Sequence, residues 1–526
     1  MDVLHLDYET RSLLDLDQYG LENYSRHPST QILLAAYAFD DRAPKLWQPH
    51  LHPEVPADLA DALLSPFVEV HAWNTAFERE ITWWLLHIEK PLVEWKDPMC
   101  NARYLSLPGK LETAGQILGL REDLQKISDG ERLIKLFCEP EDEGGEETLF
   151  GVSEPSFRDW RTDPADWARF CEYCKRDVIS ERAALQKMRK FPLPDFEWAN
   201  WRLSEEINSN GWPVDMALVE GARLIVQKET ERLSEKFSIL TGGLNPNSSQ
   251  QLLPWLRDRG YKFSSLEKAF VARAMADSDL LAEAREALEI RSQTSKTSVK
   301  KYTNIADMVG PDGRLRHQYT FMGAARTGRQ AAHGVNVGNL SKPDKAVEKK
   351  MDRAIELVRL MDYEGVCREF DKPLDVVTST VRASFRAPEG FEFVVADLAS
   401  IEDVGASFLS YCVPGLTALR EGRDGYLDFG VYFYKQPYEE LAAEYDEGRG
   451  NKSKRNKCKP AKLGSGFGLG AGAEFYQFQC PVCHTSFVPQ AKMEGGGVIF
   501  FLPQDACAEC PHCTEYVENG VKNWTG

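Results

Sequence analysis

Three short stretches of this sequence carry side chains suited to holding cations against a phosphodiester. Asp7 and Glu9 stand two apart in an alternating apolar run. Residues two apart on a strand share a face, so both carboxylates could address one metal site. Glu78 closes the stretch Asn74-Thr75-Ala76-Phe77-Glu78, where the pattern turns from strand to helix. Tyr173 and Asp177 are four apart in a helical pattern, which puts hydroxyl and carboxylate on one face. Hydrolysis of a phosphodiester needs an activated water and an offset for charge on the leaving oxygen. Two hard cations roughly 4 Å apart, held by about four carboxylates, supply both. Asp7, Glu9, Glu78 and Asp177 are the expected ligands of two magnesium (or manganese) ions, and Tyr173 would orient the attacking water.

A second group of metal-ligating residues lies near the other end. Of twelve cysteines, seven are scattered and five crowd between Cys480 and Cys513. Cys480-Pro-Val-Cys483 and Cys510-Pro-His-Cys513 are two Cys-x2-Cys knuckles, so Cys480, Cys483, Cys510 and Cys513 read as a structural zinc ribbon, with Cys507 an alternative ligand. Such a closed site has no open position for catalysis. Cys171 and Cys174 have no second pair nearby in sequence and are expected to be buried, unpaired thiols.

The elements that must position these residues follow from periodicity. Residues 1–190 read as an α/β unit, with strands at 2–9, 32–39 and 68–73 and helices at 75–87 and 166–187. Residues 191–195 (Phe-Pro-Leu-Pro-Asp) make a linker. Residues 196–302 are mostly helical, and 391–397 (FEFVVAD) read as a buried strand. No stretch at the N-terminus looks like a signal peptide, and no apolar run reaches membrane-spanning length. A cytosolic protein is expected. The net charge of −18 argues against a polyanionic partner on balance, yet residues 451–462 carry six basic side chains and no acidic one. Residues 291–302 carry four basic and no acidic. Phosphate binding depends on such local charge rather than on the sum.

Taken together, Asp7/Glu9, Asn74–Glu78 and Tyr173/Asp177 resemble the three motifs of the DnaQ-like 3′→5′ exonucleases, which have a ribonuclease-H-like fold. Residues 105–120 also resemble that family's phage members. The family usually has Asp where Glu78 stands, and Glu reaches one methylene further. Behind this region the chain resembles family A DNA polymerases. Glu205-Glu206 and Gly211–Asp215 resemble the opening of their polymerase portion, and residues 244–253 follow as in that family. Thr327-Gly328-Arg329 with Asn336 and Asn339 resembles a palm motif that grips the primer–template duplex. Asp397 and Glu402 resemble motif A, although Ala399, Asp403 and Val404 depart from it. Arg455, Lys459 and Phe467 resemble motif B, although Leu463 replaces an aromatic residue and Pro460 predicts a kink or a late helix start.

The resemblance implies a multidomain α/β and α+β protein: an exonuclease domain (1–190), a helical thumb (191–310), partial palm and fingers (311–477), a zinc ribbon insertion (478–515) and the start of a missing C-terminal polymerase part (516–526). It implies that Asp397 holds two catalytic magnesium ions and Glu402 excludes ribonucleotides. Arg455 and Lys459 would clamp a deoxynucleoside triphosphate, Leu463 would lie at its sugar, and Phe467 would stack near the base pair. Lys296, Lys300, Lys301, Arg329, Asn336 and Asn339 would contact DNA, as primer–template or single-stranded 3′ end. No His is followed by Asp, so the family's motif C is missing and weak primer extension is expected. The remainder would be a separate polypeptide or a truncation. The expected function is a proofreading DNA polymerase of bacteriophage type, in the host cytoplasm. The alternatives are a stand-alone exonuclease with a DNA-holding remnant and a non-catalytic DNA-binding subunit.

Overall fold

The computed structural model describes residues 2–125, 129–141, 147–148, 151–152, 155–294, 299–325, 327–398, 400–446, 451–466, 492–494 and 497–499. The chain divides into two compact units, Met1–Leu266 with Arg273–Phe393, and Glu267–Ala272 with Val394–Gly526.

The first unit is built on a five-stranded sheet of order β3-β2-β1-β4-β5. Its strands are β1 (Asp2–Arg11), β2 (Gln31–Phe39), β3 (Lys45–Trp47), β4 (Val68–His71) and β5 (Trp95–Lys96). β2 runs antiparallel to β1 and β3, whereas β1, β4 and β5 are mutually parallel along the ladder. A parallel neighbour needs a crossover, and α2 (Ala57–Leu64) and α3 (Ala76–Leu86) precede and follow β4 for that reason. The apolar alternation of β1 decides which face looks where. Leu4, Leu6 and Tyr8 enter one core with Ala35, Tyr37, Leu59, Leu63 and Ile81. The opposite face carries Leu34, Ala36 and Ala38, covered by Phe137 of α6 (Gly130–Cys138) and by Phe170, Cys174 and Val178 of α7 (Pro164–Met188). Because β2 is buried on both faces, its run is apolar throughout, as a central strand requires. Phe170 of α7 and Phe137 of α6 are completely buried, each stabilising the packing of its helix on the sheet by about 1.5–3 kcal/mol.

Within the first unit, α1 (Leu16–Arg26), α4 (Pro98–Tyr104) and α5 (Leu111–Ile117) complete the α/β part. A helical part follows: α8 (Asp195–Asn210), α9 (Met216–Thr241), α10 (Ser249–Arg257), α12 (Ala282–Thr294) and α13 (Lys300–Met308), while α11 (Lys268–Ala276) has its residues 268–272 in the second unit's segment. The small strands β6 (Glu147–Thr148), β7 (Gly151–Val152), β8 (Trp212–Pro213) and β9 (Arg314–Leu315) pair β6 with β7 and β8 with β9. A hairpin, β10 (Tyr319–Ala324) and β11 (Arg329–Ala332), leads to α14 (Lys345–Glu348), α15 (Met351–Arg359), α16 (Tyr363–Glu369) and α17 (Pro373–Thr380). Trp201 of α8 and Phe321 and Met322 of the hairpin join the core of the sheet.

The second unit holds α18 (Ile401–Leu409), α19 (Val413–Arg420), α20 (Gly425–Tyr434), α21 (Tyr438–Asp446) and α22 (Asn451–Gly466), then β12 (Lys492–Glu494) and β13 (Gly497–Ile499). Leu427, Leu441 and Cys458 are its buried side chains at the contacts of α20, α21 and α22. Among the described residues, no helix is long and apolar enough to cross a membrane.

One expectation fails here and another is narrowed. Residues 391–398 are not a buried strand: they have no regular structure, and Val394 and Val395 are each 88% exposed. A strand needs a ladder partner for its backbone groups, and among the described residues none pairs with this segment. Of the two alternatives expected at Pro460, the late start does not occur: α22 begins at Asn451 and carries the proline in its interior.

Candidate active site

β1 and α7 together build a polar seam inside the first unit. The face of β1 opposite its apolar side chains presents Asp7 and Glu9, and α7 presents Tyr173, Cys174 and Asp177. Ligand atoms of Asp7, Glu9 and Cys174 all lie within 4.8 Å of one another. The Cys174 thiol donates to Asp7 Oδ2 at 3.7 Å, and the Tyr173 hydroxyl donates to Asp177. Asp7 and Glu9 face Ala36 and Leu34 across the β1–β2 ladder, and a bulge between Glu9 and Thr10 interrupts the register just beyond them. Bulges commonly re-aim side chains beside functional sites.

Glu78 enters from α3. Asn74 adopts φ 74° and Thr75 Oγ1 donates to the carbonyls of Ala72 and Lys96, which turns the chain sharply into the helix. Glu78 then falls in the first turn, buried, where it feels Asp7 and Glu9. The structure thus brings Asp7, Glu9, Glu78, Tyr173 and Asp177 to one place from three separate stretches of sequence.

The electrostatics of this place are those of too much negative charge in too little water. Burial first, then Asp7, pushes the Glu78 carboxyl well above its ordinary range. Burial and then Asp177, Glu9 and Asp7 push the Tyr173 phenol up. Burial and the same carboxylates hold Cys174 as a neutral thiol. Glu78 Oε2 is buried without a hydrogen-bond partner. Crowded carboxylate oxygens, the unpartnered Glu78 Oε2 among them, are donors that fit hard divalent cations of the magnesium class.

Three neighbours escaped the sequence reading. Cys174 was expected only to be buried, yet its sulfur touches Asp7. Gly130 at the start of α6 lies flat under Tyr173: a Cβ there would stand 2.1 Å from the ring. Asp97 caps α4, its Oδ1 accepting from the backbone N–H of Asn74 at 3.1 Å and of Met99 at 2.9 Å. Burial pushes its carboxyl up to about 7. The Asp-Pro pair at 97–98 is a cap signal and could have exposed it. A cavity of about 590 Å³ is lined by Asn74, Asp97, Arg103, Trp201, Glu205 and His317 among others. It lies beside the Asn74 turn and does not include the four carboxylates.

The residues expected to contact DNA are less uniform. Thr327-Gly328-Arg329 forms the β10–β11 turn, with Gly328 at φ 64° and its N–H bonded to the Ala324 carbonyl. Arg329, Asn339 and Lys300 are exposed. Asn336 is half-buried with φ 53°. Lys301 differs from expectation: its ammonium donates to the Val335 carbonyl at 2.7 Å and lies toward that of Asn336 at 3.5 Å, so it holds the Asn336 loop. Lys296 lies outside the described residues.

In the second unit, Asp397 is exposed on the irregular segment, and Glu402 is half-buried in the first turn of α18. Arg455 of α22 pairs with Asp424 at 2.8 Å and lies over the Tyr426 ring, with Lys459 above the same ring. Lys462 pairs with Asp403 at 2.8 Å. Tyr426 and Asp424 had no place in the sequence reading and Asp403 entered it only as a departure from motif A; that reading gave partners to none of these cations. The side chain of Leu463, together with Phe467, Cys480, Cys483, Cys507, Cys510 and Cys513, lies outside the described residues.

No family profile matches the sequence. A DNA polymerase of Bacillus phage SP02 is 32% identical over 476 residues, covering 90% of this chain and 70% of that protein. Among solved structures, the polymerase domain of Pol1 from M. smegmatis, in complex with DNA primer-template and dNTP, is similar with a TM-score of 0.52 at 15% identity. That match covers 90% of this chain and 69% of the other. The second likeness speaks for the fold and the first for descent: this chain belongs to the DNA polymerase family of the phage enzyme, on a polymerase I type of fold.

Proposed function

We propose that this family A DNA polymerase couples DNA synthesis to 3′→5′ excision, and that the exonuclease site is the cluster of Asp7, Glu9, Glu78 and Asp177. One observation carries the reading: carboxylates distant in sequence converge, Glu78 feeling Asp7 and Glu9, and Asp7, Glu9 and Asp177 all acting on Tyr173 and Cys174. The sheet order β3-β2-β1-β4-β5, with β2 antiparallel, supports a ribonuclease-H-like α/β part.

Asp7, Glu9, Glu78 and Asp177 would hold two divalent cations of the magnesium class, which when bound activate a water and offset charge at the leaving oxygen. The chain's own contribution is positional. β1 fixes Asp7 and Glu9 at strand spacing, the α3 turn brings in Glu78, and Asp177 holds the Tyr173 hydroxyl that would orient the water. In the second unit, Asp397 would bind the cations of synthesis, with Glu402 at the sugar. Arg455 and Lys459 would receive the triphosphate, Leu463 and Phe467 would border the nucleotide, and Cys480, Cys483, Cys510 and Cys513 would bind structural zinc. Arg329, Asn336, Asn339, Lys300 and Lys296 would face DNA, the primer–template being the substrate.

The test is a 3′-mismatched primer–template with magnesium, with and without deoxynucleoside triphosphates. The mismatched nucleotide should be removed. Asp7→Ala should slow removal by about 1,000-fold, the equivalent of several kcal/mol of lost charge stabilisation, while DNA binding persists. Trimming at an unchanged rate in Asp7→Ala would remove the site from consideration.

A further inference from the structure

The seam between β1 and α7 continues past the carboxylates. His5 is two residues before Asp7 on the same strand face, and Glu181 is one helical turn beyond Asp177. His5 also faces His71 across the parallel β1–β4 ladder. We propose that His5, His71 and Glu181 form a buried site for a zinc-class divalent cation, with donors distinct from those of the carboxylate cluster. Its role would be structural, pinning α7 onto the β1–β4 pair. The proposal does not rest on the exonuclease reading.

Three independent observations support it. One ligand atom from each of the three residues lies within 4.8 Å of the others. His5, His71 and Glu181 are at most 9% exposed, and both His71 Nδ1 and Glu181 Oε1 are buried without a hydrogen-bond partner. Leaving such atoms bare is costly, and a cation satisfies both at once. Finally, His71 Nε2 lies 2.7 Å from Glu69 Oε1. Glu69 itself lies 3.9 Å from the Lys96 ammonium. The Glu69 carboxylate accepts the Nε2 proton, so the lone pair of the neutral ring sits on Nδ1, the atom that faces inward unpartnered. A metal-binding histidine whose other nitrogen donates to a carboxylate is the recurrent arrangement of such sites.

The chemistry of the donors selects the cation. Two imidazoles and one carboxylate suit zinc and its transition-metal neighbours rather than magnesium, which prefers oxygen. Two ring nitrogens and both oxygens of Glu181 would fill four positions, as a closed structural site requires. His5 Nδ1 stands 2.7 Å from Glu181 Oε2. The proton between them must leave when a cation takes its place, to His5 Nε2 or to buffer.

The experiment counts zinc bound to the full-length chain after dialysis, for wild type and for His71→Ala, since the cysteines at 480–513 are expected to bind zinc as well. His71→Ala should lose one equivalent. With cobalt substituted, the wild-type-minus-variant spectrum should show ligand-field bands and no thiolate charge-transfer band. Asp7→Ala should retain the lost equivalent. Glu69→Gln, which touches no metal, should weaken zinc binding by about 10–100-fold, and Glu181→Gln by more. Those two variants decide the matter should His71→Ala not fold. Equal zinc in wild type and every folded variant would overturn the proposal, leaving a hydrogen-bonded His–Glu pair. A difference spectrum carrying the thiolate band would overturn it too.

Discussion

Two segments of this protein look alike as sequence: an apolar run that closes on acids, at Asp7–Glu9 and at Asp397–Glu402. The first became a central strand with neighbours on both sides, covered by α7 on the acid-bearing face. The second stayed irregular, with Val394, Val395 and Leu398 largely exposed. An apolar run specifies that a segment can be a strand. Pairing partners decide whether it becomes one, and only then do side chains two apart share a fixed face. The front acids are therefore crowded, with Glu9 buried and the neighbouring Glu78 carboxyl pushed up by burial and Asp7, whereas Asp397 is exposed.

If that contrast is physical, the acids of the first unit should cost stability that the second does not. Asp97 gives the largest expected effect. Its carboxyl is raised from 3.8 to about 7 by burial, so the folded chain binds this proton more tightly than the unfolded chain. The contribution is fully present below the unfolded value and is lost as pH rises through about 7. Three units correspond to on the order of 4 kcal/mol. Asp97→Asn keeps an oxygen for the two N–H donors and removes the charge. It should raise stability above pH 7 by up to that amount and flatten the slope between pH 4 and 7 in cation-free denaturant titrations. An unchanged slope would mean that water reaches Asp97 and that this part of the front unit is not the low-dielectric place described.

Gly130 gives the next effect. Its missing side chain leaves room for the Tyr173 ring, and an added Cβ would stand 2.1 Å from Cε2. Gly130→Ala must push the ring and, through its hydroxyl, Asp177. Trimming of a mismatched 3′ end should slow by roughly 10–100-fold, the range for misplacing a catalytic group by about 1 Å. Nucleotide binding should not change. Wild-type trimming by Gly130→Ala would mean that Tyr173 contributes nothing by its position.

How much of this was legible follows the same division. Strands 2–9 and 32–39 and helix 166–187 were readable because burial on one or both faces imposes a period, and the structure has β1, β2 and α7 there. The convergence of Asp7, Glu9, Glu78 and Asp177 was readable only through resemblance, since nothing in the periodicity places α3 beside β1. Cys174, Gly130 and Asp97 were missed because their roles come from what lies opposite them in space. The segment at 391–398 was misread for the converse reason: its composition is that of a strand, but register and partner are not written in composition. Lys301 was read as a phosphate ligand because charge is visible in sequence, while the carbonyls of Val335 and Asn336 that accept its hydrogen bonds are not.

The smallest expected effect tests the other half of the comparison. Arg455 and Asp424 form an ion pair with side chains 24% and 29% exposed. Partly hydrated pairs of this kind are worth about 0–1 kcal/mol. Arg455→Ala should therefore shift stability by no more than about 1 kcal/mol and leave trimming as it is. It should weaken triphosphate binding, because a guanidinium in partial contact with water can exchange Asp424 for phosphate oxygens at little cost. Asp424→Asn should do the reverse, releasing Arg455 and tightening that binding in a direct nucleotide titration. Should Arg455→Ala destabilise the chain as much as Asp97→Asn stabilises it, the second unit is as tightly organised around its charges as the first. The exposure of Asp397 would then say nothing about how firmly its surroundings are held.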